Sequence, residues 1–259
     1  MKKIMLIGFG VMAQEVLARL PAGVTPGWIL AREHHHPAIL SRFDGQVKAI
    51  VSPEQCDGEP DLVLECASQQ AVGEYAEAIL LRGWRLAIVS TGALANEVLH
   101  QRLRRACSQG GQLIPLSGAV AGLDGLAAAK VGGLLSVMYQ ACKSPESWRG
   151  SRAETLLDLN TITTRQVFFR GSAREAAQQF PANANVAATI ALAGMGMDLT
   201  RVELVVDPDT LRNTHTLHAA GSFGELYLEL RGCPLARNPK TSLLAALSAV
   251  QICRQLIDA

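Results

Sequence analysis

Aromatic residues are scarce: three Trp, three Tyr and six Phe make up 5% of 259 residues. That leaves little material for the stacked-ring platforms that bind single-stranded nucleic acid. Charge of one sign is also missing. Lys plus Arg number 24 and Asp plus Glu 23, a formal net charge of +1, so no long-range field draws the chain to nucleic acid or a membrane surface. The apolar run after Lys2 and Lys3 is interrupted by Gly8 and Gly10 and followed by Gln14 and Glu15, so it reads as a buried strand, not a signal peptide or a spanning helix. The six cysteines (56, 66, 107, 142, 233 and 253) include no CxxC pair. They read as the reduced thiols of a cytoplasmic protein, not as a zinc site or a disulfide framework. The sequence contains no GxSxG elbow, no HExxH helix and no GK[ST] phosphate loop.

What is present begins at once. Lys3-Ile4-Met5-Leu6-Ile7-Gly8-Phe9-Gly10-Val11-Met12-Ala13 is a short apolar strand, a glycine turn and the start of a helix ending near Leu20-Pro21. Binding a dinucleotide pyrophosphate needs that order. Gly8 permits the tight turn, Gly10 lets the backbone approach the phosphates, and Ala13 allows close helix–strand packing. The helix start at Val11 and Met12 offers N–H groups to the anion.

The first half alternates strands and helices. Trp28–Leu30, Val47–Ile50, Leu62–Cys66, Leu86–Ser90 and Leu113–Leu116 read as strands, with helices over about 70–81 and on to about Ser108. Continuous apolar strands separated by helices predict a parallel sheet covered on both faces, with ligands beyond the strands' carboxyl ends. After about Ser117 the pattern changes. A short helix follows Gly118–Asp124, and Leu134–Lys143 reads as a strand. Ser172–Glu175 is a capping box opening a helix to about Phe180, and Asn185–Ala193 is a second helix. Arg201–Val206, Leu211–Ala219 and Glu225–Leu230 read as strands, the last two joined as a hairpin across Gly221–Gly224. The expected fold is α/β: a Rossmann-type parallel-sheet domain (residues 1–117), then an α+β substrate and dimerisation domain with a mixed or antiparallel sheet (118–240). A C-terminal helix (241–259) is expected to pack back on the first domain.

Several polar residues stay open to two readings. At the end of the second strand, Arg32, with His34 assisting, suits a 2′-phosphate and so NADP, Glu33 suits the ribose of NAD, and a solvated loop suits both residues equally well. His34, His35 and His36 are consecutive and cannot all face one ion, so no metal site is expected there. His215 and His218 point to opposite faces of one strand; the pattern favours His215 for a cleft, against a structural histidine. Asn185 reads either as an N-cap or as an amide beside a nicotinamide. Lys240 and Thr241 lie at what reads as a helix entrance, where Lys240 would attract a substrate carboxylate or simply be solvated.

Taken together, Ile7–Gly10, Leu64–Ala67, Val89–Leu94, Gly118–Val120, Gly171–Ala177, Asn183–Thr189, Asn213–His215 and Asn238–Ser242 resemble the L-aspartate dehydrogenase family of the NadX type. The resemblance runs in unbroken order from about residue 3 to about 250, with Ala121 where the family often has Gly. It implies oxidation of L-aspartate to iminoaspartate with NAD or NADP; the imine hydrolyses to oxaloacetate and ammonia or feeds pyridine nucleotide biosynthesis. It implies His215 as the catalytic residue and Ala119 and Asn185 as cofactor contacts, beside Gly8, Gly10, Val11, Met12, Arg32 and Ala67. It makes Lys240, Thr241 and Arg165 candidates for the two substrate carboxylates, and it implies a cytoplasmic homodimer. The rival readings are a reductase or dehydrogenase of another small amino acid or cyclic imine, similar to dihydrodipicolinate reductase or homoserine dehydrogenase, and a non-catalytic dinucleotide sensor.

Overall fold

The computed structural model describes residues 1–235 and 238–258, without the side chains of Ala182, Asn238, Pro239 and Lys240. The chain forms two compact units: Met1–Leu116 together with the stretch from Ala246, and Ser117–Ala245. In chain order the first stretch comprises β1 (Lys2–Ile7), α1 (Val11–Leu17), β2 (Val24–Leu30), α2 (His36–Arg42) and β3 (Lys48–Ile50). It continues with β4 (Leu62–Glu65), α3 (Gln69–Leu81), β5 (Arg85–Ile88), α4 (Glu97–Cys107) and β6 (Gln112–Pro115). The second comprises α5 (Leu123–Gly132), β7 (Leu134–Lys143), α6 (Pro145–Trp148), α7 (Ala153–Leu156), β8 (Gln166–Ser172), α8 (Ala173–Gln179) and α9 (Asn185–Ala193). Strands β9 (Arg201–Val206), β10 (Asn213–Gly221), β11 (Gly224–Gly232), β12 (Pro234–Leu235) and β13 (Asn238–Ser242) follow, then α10 (Leu243–Arg254).

In the first unit six parallel strands run in the order β3-β2-β1-β4-β5-β6. This is the doubly wound order whose reversal beside β1 opens a crevice at the strands' carboxyl ends. The strands read as unbroken apolar runs because both faces are covered: Ile4, Leu6, Leu62 and Leu64 are fully buried on one face, Met5 and Val63 on the other. Polar caps set where the helices begin. The Ser68 hydroxyl accepts from the Ala71 N–H at 3.2 Å and starts α3; Asn96 accepts from Leu99 at 3.1 Å and starts α4. Ala246, Ala249, Val250, Cys253 and Leu256, on α10 and just beyond it, join the same core as Ile4 and Leu6. α1 is shorter than its sequence pattern, ending at Leu17.

The second unit is built on a mixed sheet, β11-β10-β7-β9-β8, antiparallel except where β7 runs parallel to β9. β10 alternates cleanly, with His215, Leu217 and Ala219 buried and Thr214, Thr216 and His218 half-buried. Its hairpin to β11 closes with Gly221 opposite Gly224, as the glycine pattern predicts. The scarce aromatics are concentrated here. Trp148 is fully buried, its ring edge-on to Phe168 at 4.9 Å and to Phe180 at 6.5 Å, and its Nε1–H donates to the Val205 carbonyl at 3.0 Å. The Ser172 capping box is formed with Glu175 and opens α8.

β8, which no sequence pattern marked, slips in register between Val167 and Phe169, and the bulge breaks the two-residue period. Two local expectations differ from the structure. Ala184, not Asn185, occupies the N-cap position of α9, and no side-chain cap bond is formed there. The stretch Asn238–Ser242 is a strand paired with β12, so Thr241 lies on β13 and the final helix starts at Leu243, where the Ser242 hydroxyl accepts from the Leu244 N–H at 3.2 Å.

Candidate active site

In the first unit, the chain between β1 and α1 forms one wall of a cleft of about 410 Å³. Gly8 holds φ at +100°, and its N–H donates to the Leu30 carbonyl at 2.8 Å. A Cβ there would sit 2.9 Å from the Ala67 Cβ, so only glycine fits the turn. Gly10 differs: a Cβ would meet nothing within 4 Å, because the residue faces open space. A strand-to-helix turn stripped of side chains on its open side suits a pyrophosphate, and these residues fit a dinucleotide.

Gly8, Gly10, Arg32 and Ala67 all line this cleft. Val11 and Met12 lie outside its lining; they begin α1, and the Met12 side chain packs on the unit's core. Arg32 precedes a single 3-10 turn, Glu33–His35, where the histidine run reads as a loop. Arg32 and His35 line the cleft; Glu33 and His34 do not.

Sequence reasoning passed over Glu65, the last residue of β4. It is fully buried. Its Oε1 accepts from the Ala67 N–H at 2.7 Å and the Ser90 hydroxyl at 2.9 Å, and its Oε2 accepts from the Ser90 N–H at 2.9 Å. Burial pushes its pKa up, and these donors pull the other way. One carboxylate thus ties the loop after β4 to the loop after β5. The signal was a lone acidic residue inside the apolar run Leu62–Cys66.

In the second unit, His215 is 5% exposed. Its Nδ1 lies 2.7 Å from the hydroxyl of Tyr139, which is fully buried, and the two ring planes are nearly parallel, 13° apart. Burial, reinforced by the nearby Lys143 charge, lowers the imidazole pKa to about 3. His215 is therefore neutral in the free protein at neutral pH, well away from the intrinsic value that would let it exchange a proton there unaided. Burial pushes the Tyr139 hydroxyl well up. Lys143 ends β7 on the same face and is buried as well; its Nζ donates to Asn183 Oδ1 at 2.8 Å. β7 brings these groups together by alternation: Ala141 pairs with His215, with Tyr139 two residues before and Lys143 two residues after. Tyr139 and Lys143 were legible only as part of a strand, since nothing local marks them as polar groups on a buried face.

The remaining candidates are placed as follows. Ala119 is buried in a turn beside Gly118, which holds φ at +61°. Asn185 is half-buried in the first turn of α9, and its carbonyl accepts from the Thr189 hydroxyl at 2.9 Å. Arg165 is exposed and donates to Gln140 Oε1 at 2.6 Å. Thr241 is half-buried on β13, and the Lys240 side chain falls outside the described residues. His218 lies on the other face of β10, its Nε2 3.9 Å from Glu225.

Residues 124–256 match the family model "Aspartate dehydrogenase, C-terminal", and residues 8–116 match "Homoserine dehydrogenase, NAD binding domain". The chain belongs to the aspartate dehydrogenase family. It is 68% identical over 259 residues to the L-aspartate dehydrogenase of Serratia proteamaculans, covering 100% of this chain and 98% of that one. It is 52% identical over 260 residues to the L-aspartate dehydrogenase of Acinetobacter baylyi, covering 100% and 99%. Among solved structures, the aspartate dehydrogenase of Thermotoga maritima superimposes with a TM-score of 0.79 at 26% identity, covering 99% of this chain and 97% of that one. As a member of the aspartate dehydrogenase family the chain is an oxidoreductase that uses NAD or NADP, which removes the sensor reading. Among the described residues no helix is long and apolar enough to cross a membrane.

Proposed function

We propose that the chain oxidises L-aspartate to iminoaspartate with NAD or NADP, and that His215 is its catalytic residue. The observation that carries this reading is the match of residues 124–256 to the aspartate dehydrogenase model, a segment whose sheet buries His215 against Tyr139 and beside Lys143.

The chemistry sets the demands. Bound NAD or NADP supplies the hydride acceptor. The Cα–H of aspartate leaves as hydride only when the amine is unprotonated, so a proton must be removed from the ammonium group. In the free protein His215 is too weak a base for this. The two substrate carboxylates beside it work in the opposite direction, since nearby negative charge favours the imidazolium. Substrate binding thus raises the basicity of His215 as it is needed, and Tyr139 holds the ring in register through Nδ1. One protonated imine, one reduced cofactor and one proton result; water then adds to the iminium carbon, and loss of ammonium gives oxaloacetate.

Gly8, Gly10, Arg32 and Ala67, which line the first unit's cleft, are the proposed cofactor contacts, with the amides of Val11 and Met12 at the start of α1. Ala119 and Asn185 are added on the family resemblance, as are Thr241 and Lys240 for the substrate. A homodimer is proposed as well. Met138 and Tyr227 are exposed in one row with His218 on the outer face of the second sheet, which a second copy would cover. A solution mass of twice 27.6 kDa supports the dimer, and a monomer at working concentration rejects it.

The test of the reaction is substrate choice. L-aspartate, L-homoserine and, in the reductive direction, dihydrodipicolinate are offered with each cofactor. Turnover of aspartate alone supports the proposal. Turnover of either rival with aspartate inert would reject it.

A further inference from the structure

Lys143 is a buried ammonium group with no anion beside it. The residue is 6% exposed. Its Nζ donates to Asn183 Oδ1 at 2.8 Å and lies 5.0 Å from the centroid of the Trp148 ring, and both of these partners are neutral. Among the described residues it forms no ion pair. Asp207 follows Val206, the β9 residue paired with Lys143, but its carboxylate is engaged elsewhere, with Cys142 Sγ at 3.9 Å and the Arg165 guanidinium at 4.0 Å. Burial alone lowers the Lys143 pKa, to about 8, with no neighbouring carboxylate pulling it up.

A buried charge without a counter-charge is costly, and proteins keep one where something else supplies the opposite sign. The placement indicates what that is. Lys143 lies two residues beyond Ala141, which pairs with His215, so the amine and the imidazole share one end of the same buried face. The amine has three N–H bonds, and Asn183 accepts one of them. Two remain for carboxylate oxygens.

We propose that Lys143 binds one carboxylate of the substrate and so seats it beside His215. The inference rests on the aspartate reading above and names the cation that the reading leaves open. It separates Lys143 from the sequence candidate Arg165, which is exposed and turned to Gln140 and Asp207. It also explains why the site tolerates a cation that depresses His215: when the carboxylate arrives it neutralises the lysine and lifts that effect.

The test uses succinate, a dicarboxylate without an amine, and the protein saturated with NADH. Lys143→Met is expected to weaken succinate binding by about thirty-fold or more, the usual cost of removing one partner of a buried charge pair. NADH affinity is expected to stay unchanged, a split that general loosening of the fold would not produce. Succinate binding to Lys143→Met as tightly as to the wild type would overturn the proposal. If that variant does not fold, crystals of the wild-type protein with NADH and succinate decide the matter. A carboxylate oxygen in hydrogen-bond contact with Lys143 Nζ supports it; both carboxylates seated on other residues overturn it. Loss of succinate binding in a protein that does not oxidise aspartate would sink the reaction and leave Lys143 as an anion-binding residue. Aspartate turnover with undisturbed succinate binding would sink Lys143 alone.

Discussion

The Tyr139 hydroxyl lies 2.7 Å from His215 Nδ1, a contact between two buried side chains on adjacent antiparallel strands. A neutral imidazole in an apolar face can turn about its Cβ–Cγ bond; this hydrogen bond fixes which nitrogen is turned away from the strand pair.

Tyr139→Phe therefore keeps the ring's bulk and removes only the tether. The account expects kcat to fall about ten- to a hundred-fold with cofactor affinity unchanged, the size of effect that small misplacement of a reacting group produces. Steady-state rates with aspartate together with a cofactor titration check it. Wild-type kcat in Tyr139→Phe would show that the tyrosine is packing only.

His215 also makes stability depend on pH. Its pKa is about 3 in the folded protein against 6.5 for the ordinary group. Between those values the unfolded chain binds a proton that the native state refuses, so stability falls as pH drops through the window, by up to about 1.4 kcal/mol per pH unit. Above the upper value both states are neutral at this residue and the dependence vanishes. Denaturant unfolding of the wild type and of His215→Gln across that range checks this, with a steeper loss expected for the wild type.

Glu65 clamps Ala67 and Ser90, and Ala67 in turn packs on Gly8. Glu65→Leu leaves buried N–H groups unpaired at about 1–3 kcal/mol each, so a lower unfolding midpoint is expected. Because Ala67, in the loop after β4, lines the cleft, cofactor affinity is expected to weaken as well. Calorimetry and NADH titration of the same preparation test both effects; a destabilised variant with wild-type NADH affinity would confine Glu65 to the fold.

Arg32 lines the cleft, whereas Glu33 does not. That arrangement favours contact with a 2′-phosphate. Arg32→Ala is expected to raise KM for NADP by about ten-fold, a lost charge-assisted hydrogen bond, and to leave KM for NAD nearly unchanged. Equal effects on both cofactors would remove Arg32 from the choice between them.

The parallel sheet was legible in the sequence because each of its strands is a short apolar run and its turn glycines have separate, visible jobs: Gly8 in the left-handed region, Gly10 facing open space. His215 was legible through strand alternation, which placed it with Leu217 on the buried face. What stayed hidden depended on long-range pairing. Lys143 and Tyr139 become partners of His215 only through the β7–β10 register, across more than seventy residues of chain for Tyr139. β8 was hidden by its bulge, and Asn185 lost the N-cap place to Ala184 because a preceding 3-10 turn, Pro181–Asn183, carries the backbone into α9. The lowered pKa of His215 was hidden for a similar reason, since the burial that causes it is a tertiary property.

The most direct test of the account is the initial rate of cofactor reduction by L-aspartate in the wild type and in His215→Ala, with NADH binding measured on both proteins. The account predicts aspartate-dependent reduction of NAD or NADP by the wild type, and a loss of about 10²–10⁴-fold in the variant with NADH affinity retained. A His215→Ala protein that still binds NADH and oxidises aspartate at the wild-type rate would contradict it.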